Sequence, residues 1–287
     1  MRFVMALLVA IGVAVALVAA TTRRFHRRID AKTRALLEQS REPADAARTV
    51  EPKDLERLPA PVRRWLEVAG VVGQPRARTV RLRQRGDIRT GPDKPWMPVA
   101  AEQYFSVDPP GFVWAVDGRM MHVVPITGRD RYVDGHGQML IKLASLISVA
   151  DAAGPEIDQG AMLRFLGEII WFPSAALSPY ITWDAIDDRN ARATMRYAGL
   201  TVTAVFTFDD RGRFAGLTAD RYMTSGGKAQ LERWTIPITE WRTVRGVGMP
   251  VRGGAVWKLS AGDFDYYRWE ILDVEANQPA LFVEVPE

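Results

Sequence analysis

One long helical pattern interrupts a chain that otherwise reads as strand after strand, and nothing else in the sequence restricts the fold as much. Between Gly154 and Trp183, the residues Met162, Phe165, Leu166, Ile169 and Ile170 fall at the i, i+3, i+4, i+7, i+8 spacing that gathers apolar side chains on one helix face. The spacing predicts a helix over 158–171. Asp158 serves as its N-cap, Gly154-Pro155 as the breaker ahead of it, and Pro173 as the stop, because proline has no N–H to donate. Alternating runs lie on both sides: 76–90, 100–107, 112–117, 120–125 and 129–133 before it, and 191–197, 201–208, 214–222, 231–243, 256–259 and 266–274 after it. Asp117-Gly118, Thr127-Gly128, Ala198-Gly199 and Gly226-Gly227 separate several of them as turns. Residues 138–146 fit either a strand or the start of a helix. Connections this short make antiparallel meanders, since parallel strands need long crossovers. About ten strands in two blocks thus give a mainly β (α+β) chain: a strongly curved antiparallel sheet or incomplete β-barrel, with the central helix on its concave face. A closed barrel and a sandwich are the competing architectures.

The N-terminus follows different rules. Phe3 to Ala20 is an unbroken run of apolar residues and glycine, long enough to span a hydrocarbon core as a helix. A cleaved signal peptide ending at Val18-Ala19-Ala20 is the rival reading, but the run exceeds a usual signal core. The expected organisation is a transmembrane anchor over 1–22, a basic, charged spacer over 23–51, and a single β-rich domain over 52–287 in which Pro61 and Gly70 bracket a short helix. Arg23, Arg24, Arg27 and Arg28 follow the apolar run while only Arg2 precedes it. The positive-inside rule then puts the domain on the cytoplasmic face of the inner membrane, without excluding the other side.

Charge narrows the partners. Residues 1–34 carry a net +6, and the whole chain +4; +4 less +6 leaves −2 for the rest. The basic character belongs to the arm beside the apolar run, where it suits anionic headgroups, and the folded part lacks the positive surface of a nucleic-acid binder. The absence of cysteine excludes disulfides, thiolate chemistry and cysteine-ligated zinc. No phosphate-cradling loop, dinucleotide fingerprint or Gly-x-Ser-x-Gly elbow occurs, and no cofactor is expected.

Three sets of side chains are candidates for chemistry. Glu156, Asp158 and Glu168 lie on or beside the helix, and with His122 or His136 they form the weak catalytic set of a hydrolase-like reading. Against it, Glu156 and Asp158 suit the helix N-terminus, and Arg164 four residues before Glu168 makes an ion pair on a face away from most of the apolar residues. Asp134-Gly135-His136 with Asp130 offers metal donors, but Asp-Gly is an ordinary hairpin turn, so no metal is assigned. The third set is aromatic. Tyr104, Trp114, Trp171, Phe172 and Tyr180, with Arg164 and Glu168 as polar groups, would line a lipid-sized site. If Glu168 points into the sheet, an arginine must pair with it, which makes a polar floor in an apolar hollow. The arginines of 76–90 read as the solvated face of an outer strand, with an anion-binding stripe as the sharper alternative.

The run Arg164-Phe165-Leu166-Gly167-Glu168-Ile169-Ile170-Trp171-Phe172-Pro173 resembles an uncharacterised bacterial family of membrane-anchored proteins. Gly154-Pro155-Glu156, Leu58-Pro59-Ala60-Pro61-Val62, Gly111-Phe112-Val113-Trp114 and Gly262-Asp263-Phe264-Asp265-Tyr266-Tyr267-Arg268 match it too. The likeness covers most of residues 55–275 and implies no activity. At the level of fold, the pattern is also similar to the periplasmic lipoprotein carriers, half-barrels that hold acyl chains against a helix.

Three functional readings follow. The first is a membrane-tethered, non-enzymatic domain binding a lipophilic or amphipathic molecule between sheet and helix. The second is the acid-based enzyme, and the third an interaction domain with a solid core. The expected partners are the lipid bilayer and a lipophilic small molecule.

Overall fold

A computed structural model describes residues 2–40, 48–121, 123–225 and 227–283. Helix α1 (Arg2–Gln39) leads through a 3-10 turn (Pro52–Leu55) to α2 (Ala60–Val68). Six strands follow: β1 (Thr79–Ile88), β2 (Met97–Ser106), β3 (Gly111–Met120), β4 (Val124–Val133), β5 (His136–Leu143) and β6 (Ile147–Ala153). After α3 (Pro155–Glu168) and two 3-10 turns come seven more: β7 (Ile181–Ala185), β8 (Asn190–Tyr197), β9 (Leu200–Phe208), β10 (Phe214–Ser225), β11 (Lys228–Val244), β12 (Val247–Leu259) and β13 (Gly262–Ala276).

All thirteen strands form one antiparallel sheet in the order β6-β5-β4-β3-β2-β1-β13-β12-β11-β10-β9-β8-β7. The first block unrolls from the middle of the sheet to one edge. Helix α3 carries the chain to the opposite edge, and the second block returns until β13 pairs with β1. The sheet curls into a half-barrel around α3, whose Met162, Leu163, Phe165 and Leu166 are fully buried among Phe105, Phe112, Tyr132 and Phe206 of the inner face. One end is shut. There the β4–β5 and β8–β9 turns meet, leaving no room for a side chain at Gly135 against Ala198. Helix α2 packs Trp65 beside Phe206, Phe208 and Phe214.

The expected curved sheet with a helix in its hollow is the observed architecture, but there are thirteen strands rather than about ten. Two of the additions were hard to see because they are edges: β6 is exposed or half-exposed throughout, so no apolar alternation marks it, and β7 has five residues. Two expected turns are not turns. Gly118 and Gly128 sit within β3 and β4, where an added Cβ would lie 2.9 Å from Val99 Cγ1 and 2.8 Å from Val116 Cγ1. They are glycine because neighbouring side chains cross over them. The helix spans 155–168 rather than 158–171. Proline suits its first turn, Gly154 is the N-cap, and Ile169–Trp171 tightens into a 3-10 turn.

The N-terminal expectation needs a larger correction. Part of the expected 23–51 spacer packs on the sheet. From Phe25 on, α1 lies on the outer face of β2–β4, burying Phe25, Ile29 and Leu36 against Val113. Ser40 Oγ meets Ser106 Oγ at its end. The earlier half of the same helix touches little: Phe3, Val4, Met5, Leu7, Leu8, Val9, Val13, Val15 and Leu17 are all exposed. Among the described residues no helix is long and apolar enough to cross a membrane, so the expected transmembrane helix is not supported on those residues. The side chains of Ala10, Ile11 and Ala14, inside Phe3–Ala20, lie outside the described set.

Candidate functional site

Strand alternation decides what faces the hollow. In β2, Gln103 and Phe105 point inward while Glu102 and Tyr104 point out; in β4, Asp130 and Tyr132 point in while Arg129 and Arg131 point out. Helix α3 then brings Arg164 down onto this surface. Its Nε donates to Glu168 Oε1 at 2.6 Å and its Nη1 to Asp130 Oδ2 at 2.7 Å. Gln103 Nε2 donates to the other Glu168 oxygen at 2.7 Å, Gln84 Nε2 donates to Gln103 Oε1 at 3.2 Å, and the Tyr267 hydroxyl donates to Gln84 Oε1 at 2.8 Å. The guanidinium stacks over Phe112 and Trp114, 4.9 and 4.8 Å from their ring centres. The Arg164–Glu168 pair predicted from the i,i+4 spacing is present, but it lies inside the half-barrel and not on a solvated helix face.

A second arginine approaches from the other half of the sheet. Arg221 of β10 lies over Trp234, 4.9 Å from the ring centre, and donates to the Tyr266 hydroxyl at 3.3 Å. Its charge, like that of Arg164, acts on Asp130. Two cations and two carboxyls leave the floor neutral. Burial pushes the Asp130 and Glu168 carboxyls above the usual range, and Arg164 pulls both back without cancelling the shift. Burial also disfavours the Arg164 cation, but Glu168 and then Asp130 outweigh it and hold the guanidinium protonated.

Protein surrounds Asp130 on nearly every side, yet 27% of its side chain is exposed, and 14% of that of Arg164. A group that is deep and wetted at once lies at the bottom of a recess. Ile88, Met97, Met223, Leu259, Tyr266 and Tyr267 pack on the core but stay partly uncovered. Ile88, Met97, Leu259, Tyr266 and Tyr267 gather toward the β1–β2 and β12–β13 turns, the end away from Gly135, while Met223 lies on β10 near the start of α3. The recess therefore has a charged floor, an apolar and aromatic rim, and its opening at that end. Two surface hollows lie elsewhere: about 550 Å³ on the outer face of β11–β13 beside Thr235, Pro237 and Arg252, and about 330 Å³ between Leu37 of α1 and Pro279–Leu281.

The expected ligand-binding residues divide accordingly. Arg164, Glu168 and Trp114 meet at the floor. Trp171 packs edge-on against Trp269, and Phe172 against Phe105 and Phe165, so both are core. The Tyr180 hydroxyl donates to the Val107 carbonyl at the closed end. Tyr104 is on the outer face, donating to Glu102 at 2.5 Å. The seam between α3 and the sheet is filled by side chains.

The acid set does not converge. Asp158 accepts from the Gly137 N–H at 2.6 Å and faces His136 at 3.3 Å, while Glu168 lies ten residues along α3, about 15 Å away at the helical rise. Glu156 is exposed at the start of the helix, and His122 lies outside the described residues. No three metal-ligating side chains gather among the described residues. Arg81, Arg83 and Arg85 are taken up by Glu275, Glu102 and Glu270 on the outer face, so the stripe is a ladder of ion pairs.

Sequence reasoning overlooked Gln84, Gln103, Arg221 and Tyr267 as site residues. The signal was there for the first two: each is a polar residue at an inward position of an otherwise apolar alternation, and such a residue needs a buried partner. Arg221 gives no comparable sign.

Fold and floor together describe an antiparallel half-barrel closed at one end around a helix, with a charge-balanced polar recess open at the other. Residues 48–269 match the model of a family of unknown function, DUF6544, and the chain belongs to that family. No curated protein matches the sequence. Among solved structures, the chain is similar to a LolA superfamily protein from Nitrosomonas europaea, at 9% identity and a TM-score of 0.41 over 74% of this chain and 92% of that one. It is also similar to a porin-like protein from Bacteroides uniformis (13%, TM-score 0.27, 69% and 98%). The third is the Mycobacterium tuberculosis lipoprotein LppX (14%, TM-score 0.25, 77% and 94%). At such identities and scores these likenesses carry nothing about ligand or role.

Proposed function

We propose that the protein is a membrane-tethered binding domain that holds one amphipathic, lipid-like molecule in the recess, with its polar head on the Asp130–Arg164 floor and its apolar part along the rim. The observation that carries this is the wetted, charge-balanced floor beneath a half-buried apolar rim. A core that served packing alone would gain nothing from two buried ion pairs, because desolvation offsets much of their attraction. Binding pockets, by contrast, are mainly apolar with a few placed polar groups.

The tether is the first half of α1. Nine large apolar side chains in water are a standing cost that a bilayer removes, at about 25 cal/mol for each Å² of apolar surface buried. Arg23, Arg24, Arg27 and Arg28 follow at headgroup level, each adding roughly 1 kcal/mol at an anionic surface. By the charge rule we assign the half-barrel to the cytoplasmic face.

The test is native mass spectrometry of the full chain released from nanodiscs, compared with Ile88→Trp, which crowds the opening. We expect one lipid-sized adduct per wild-type chain and a several-fold loss in the variant. An adduct that is absent, or equally abundant in both, removes the proposal.

A further inference from the structure

We infer that the half-barrel does not merely hang from its tether but sits on the bilayer, with the β3–β4 and β5–β6 hairpin tips inserted between lipid headgroups. This rests on the insertion of the first half of α1 and adds a second membrane contact made by the sheet itself.

The geometry begins with the direction of α1. Leu36 lies over Gly111 at the start of β3, where an added Cβ would come 2.9 Å from Leu36 Cδ1. His26 Nε2 lies 3.3 Å from Asp117 near the other end of the strand. Helix and strand therefore run antiparallel, and the end of β3 heads back toward the apolar half of α1. Met121 is four residues beyond Asp117, about 13 Å at the rise of a strand. The same distance covers about nine residues of helix, which brings the hairpin tip level with Leu17. The second tip is fixed independently. Ser145 Oγ, in the β5–β6 turn, lies 2.8 Å from Thr22 Oγ1 and 3.1 Å from Thr127 Oγ1. Both tips stand where the apolar run gives way to the arginines.

Their composition fits that position. Met121 is 80% exposed, Val123 77% and Ile147 62%, with Met120, Leu146 and Val149 exposed beside them. Apolar side chains at hairpin tips would ordinarily be polar turn residues. The opposite turns, Asp134-Gly135, Ala198-Gly199 and Arg245-Gly246, carry no large exposed apolar residue. The occupant is set by continuity with α1: its exposed apolar half and the two tips form one surface, bordered by exposed Arg23, Arg24, Arg27 and Arg28. A membrane with anionic headgroups meets both parts, and a protein partner would have to accommodate the helix as well. Seating the sheet this way turns the open end of the recess toward the bilayer surface, since the β1–β2 and β12–β13 turns lie at the same end of the sheet.

The chain has no cysteine, so one introduced cysteine is a unique labelling site. A polarity-sensitive fluorophore is attached to Met121→Cys, Ile147→Cys, Val9→Cys or Thr201→Cys in the full chain, reconstituted in phosphatidylcholine–phosphatidylglycerol vesicles. Quenching by spin-labelled lipid is then measured. Val9 reports the tether and Thr201, exposed at the closed end, reports water. We expect positions 121 and 147 to be quenched several-fold more than 201 and to approach 9. Should 9 be quenched while 121 and 147 behave like 201, the inference falls and the tether stands. Should 9 also behave like 201, both fall.

Discussion

Replacing Arg164 by leucine removes the one cation that touches both Glu168 and Asp130, and the consequences can be worked through. Each carboxylate loses a charged hydrogen bond of 2.6 or 2.7 Å. Breaking a buried pair by removing one partner costs about 3–5 kcal/mol, because the other charge stays behind uncompensated. Asp130 is partly wetted and Arg221 remains near it, so the lower figure applies. At roughly 2–4 °C per kcal/mol for a domain of this size, about 3 kcal/mol lowers Tm by roughly 6–12 °C. The loss must also depend on pH. Both carboxyls already titrate above their ordinary values of 3.8 and 4.5, so the folded state binds more protons than the unfolded state just above those values. Stability from these groups is therefore greatest at low pH and falls as pH rises through that window. Without Arg164 the carboxyls shift further up and the fall steepens. Thermal unfolding followed by tryptophan fluorescence, with Trp114 beside the substituted residue, reads both effects. The deficit should shrink on acidification from about pH 8 to about pH 5, and Asp130→Asn with Glu168→Gln should recover much of it. A deficit below about 1 kcal/mol, or one indifferent to pH, would mean that the carboxylates do not depend on Arg164.

Two more outcomes are expected elsewhere in the fold. Gly137→Ala puts a Cβ 2.5 Å from the Ile157 carbonyl and 2.9 Å from Ala161 Cβ, pressing β5 off α3; it should cost about 1–3 kcal/mol by overpacking, and unchanged Tm would show that the helix has slack. Ile29→Asp buries a carboxylate in the seam between α1 and the sheet, giving up about 1.5–3 kcal/mol of apolar burial. It should open Arg27, Arg28 and Lys32 to trypsin while the sheet stays folded, whereas unaltered digestion would mean that the helix is held by other contacts.

The sequence carried the curved sheet because its inward positions are apolar at every second residue and its turns are short. It did not carry β6, whose residues contact too little of the core to leave a pattern, or the continuity of β3 and β4, where Gly118 and Gly128 imitate turn signals. The Arg164–Glu168 pair was legible from its spacing. Its burial was not, because α3 is enclosed on several sides and its charged residues lie inside with the apolar ones. Asp130 reaches Arg164 from 34 residues away, and no local pattern contains that contact.

The pairing of β1 with β13 sets an order of events during synthesis. Arg81 and Glu275, joined across that seam, are 194 residues apart in the chain. Until the last strand leaves the ribosome, β1 presents a bare row of amides and carbonyls in what will become the middle of the sheet, where edge charges and bulges are least available to guard it. Loss of the final ladder would therefore leave one leaf of six strands and one of seven, each with a sticky inner margin, and misassembly between neighbouring copies would become the main hazard.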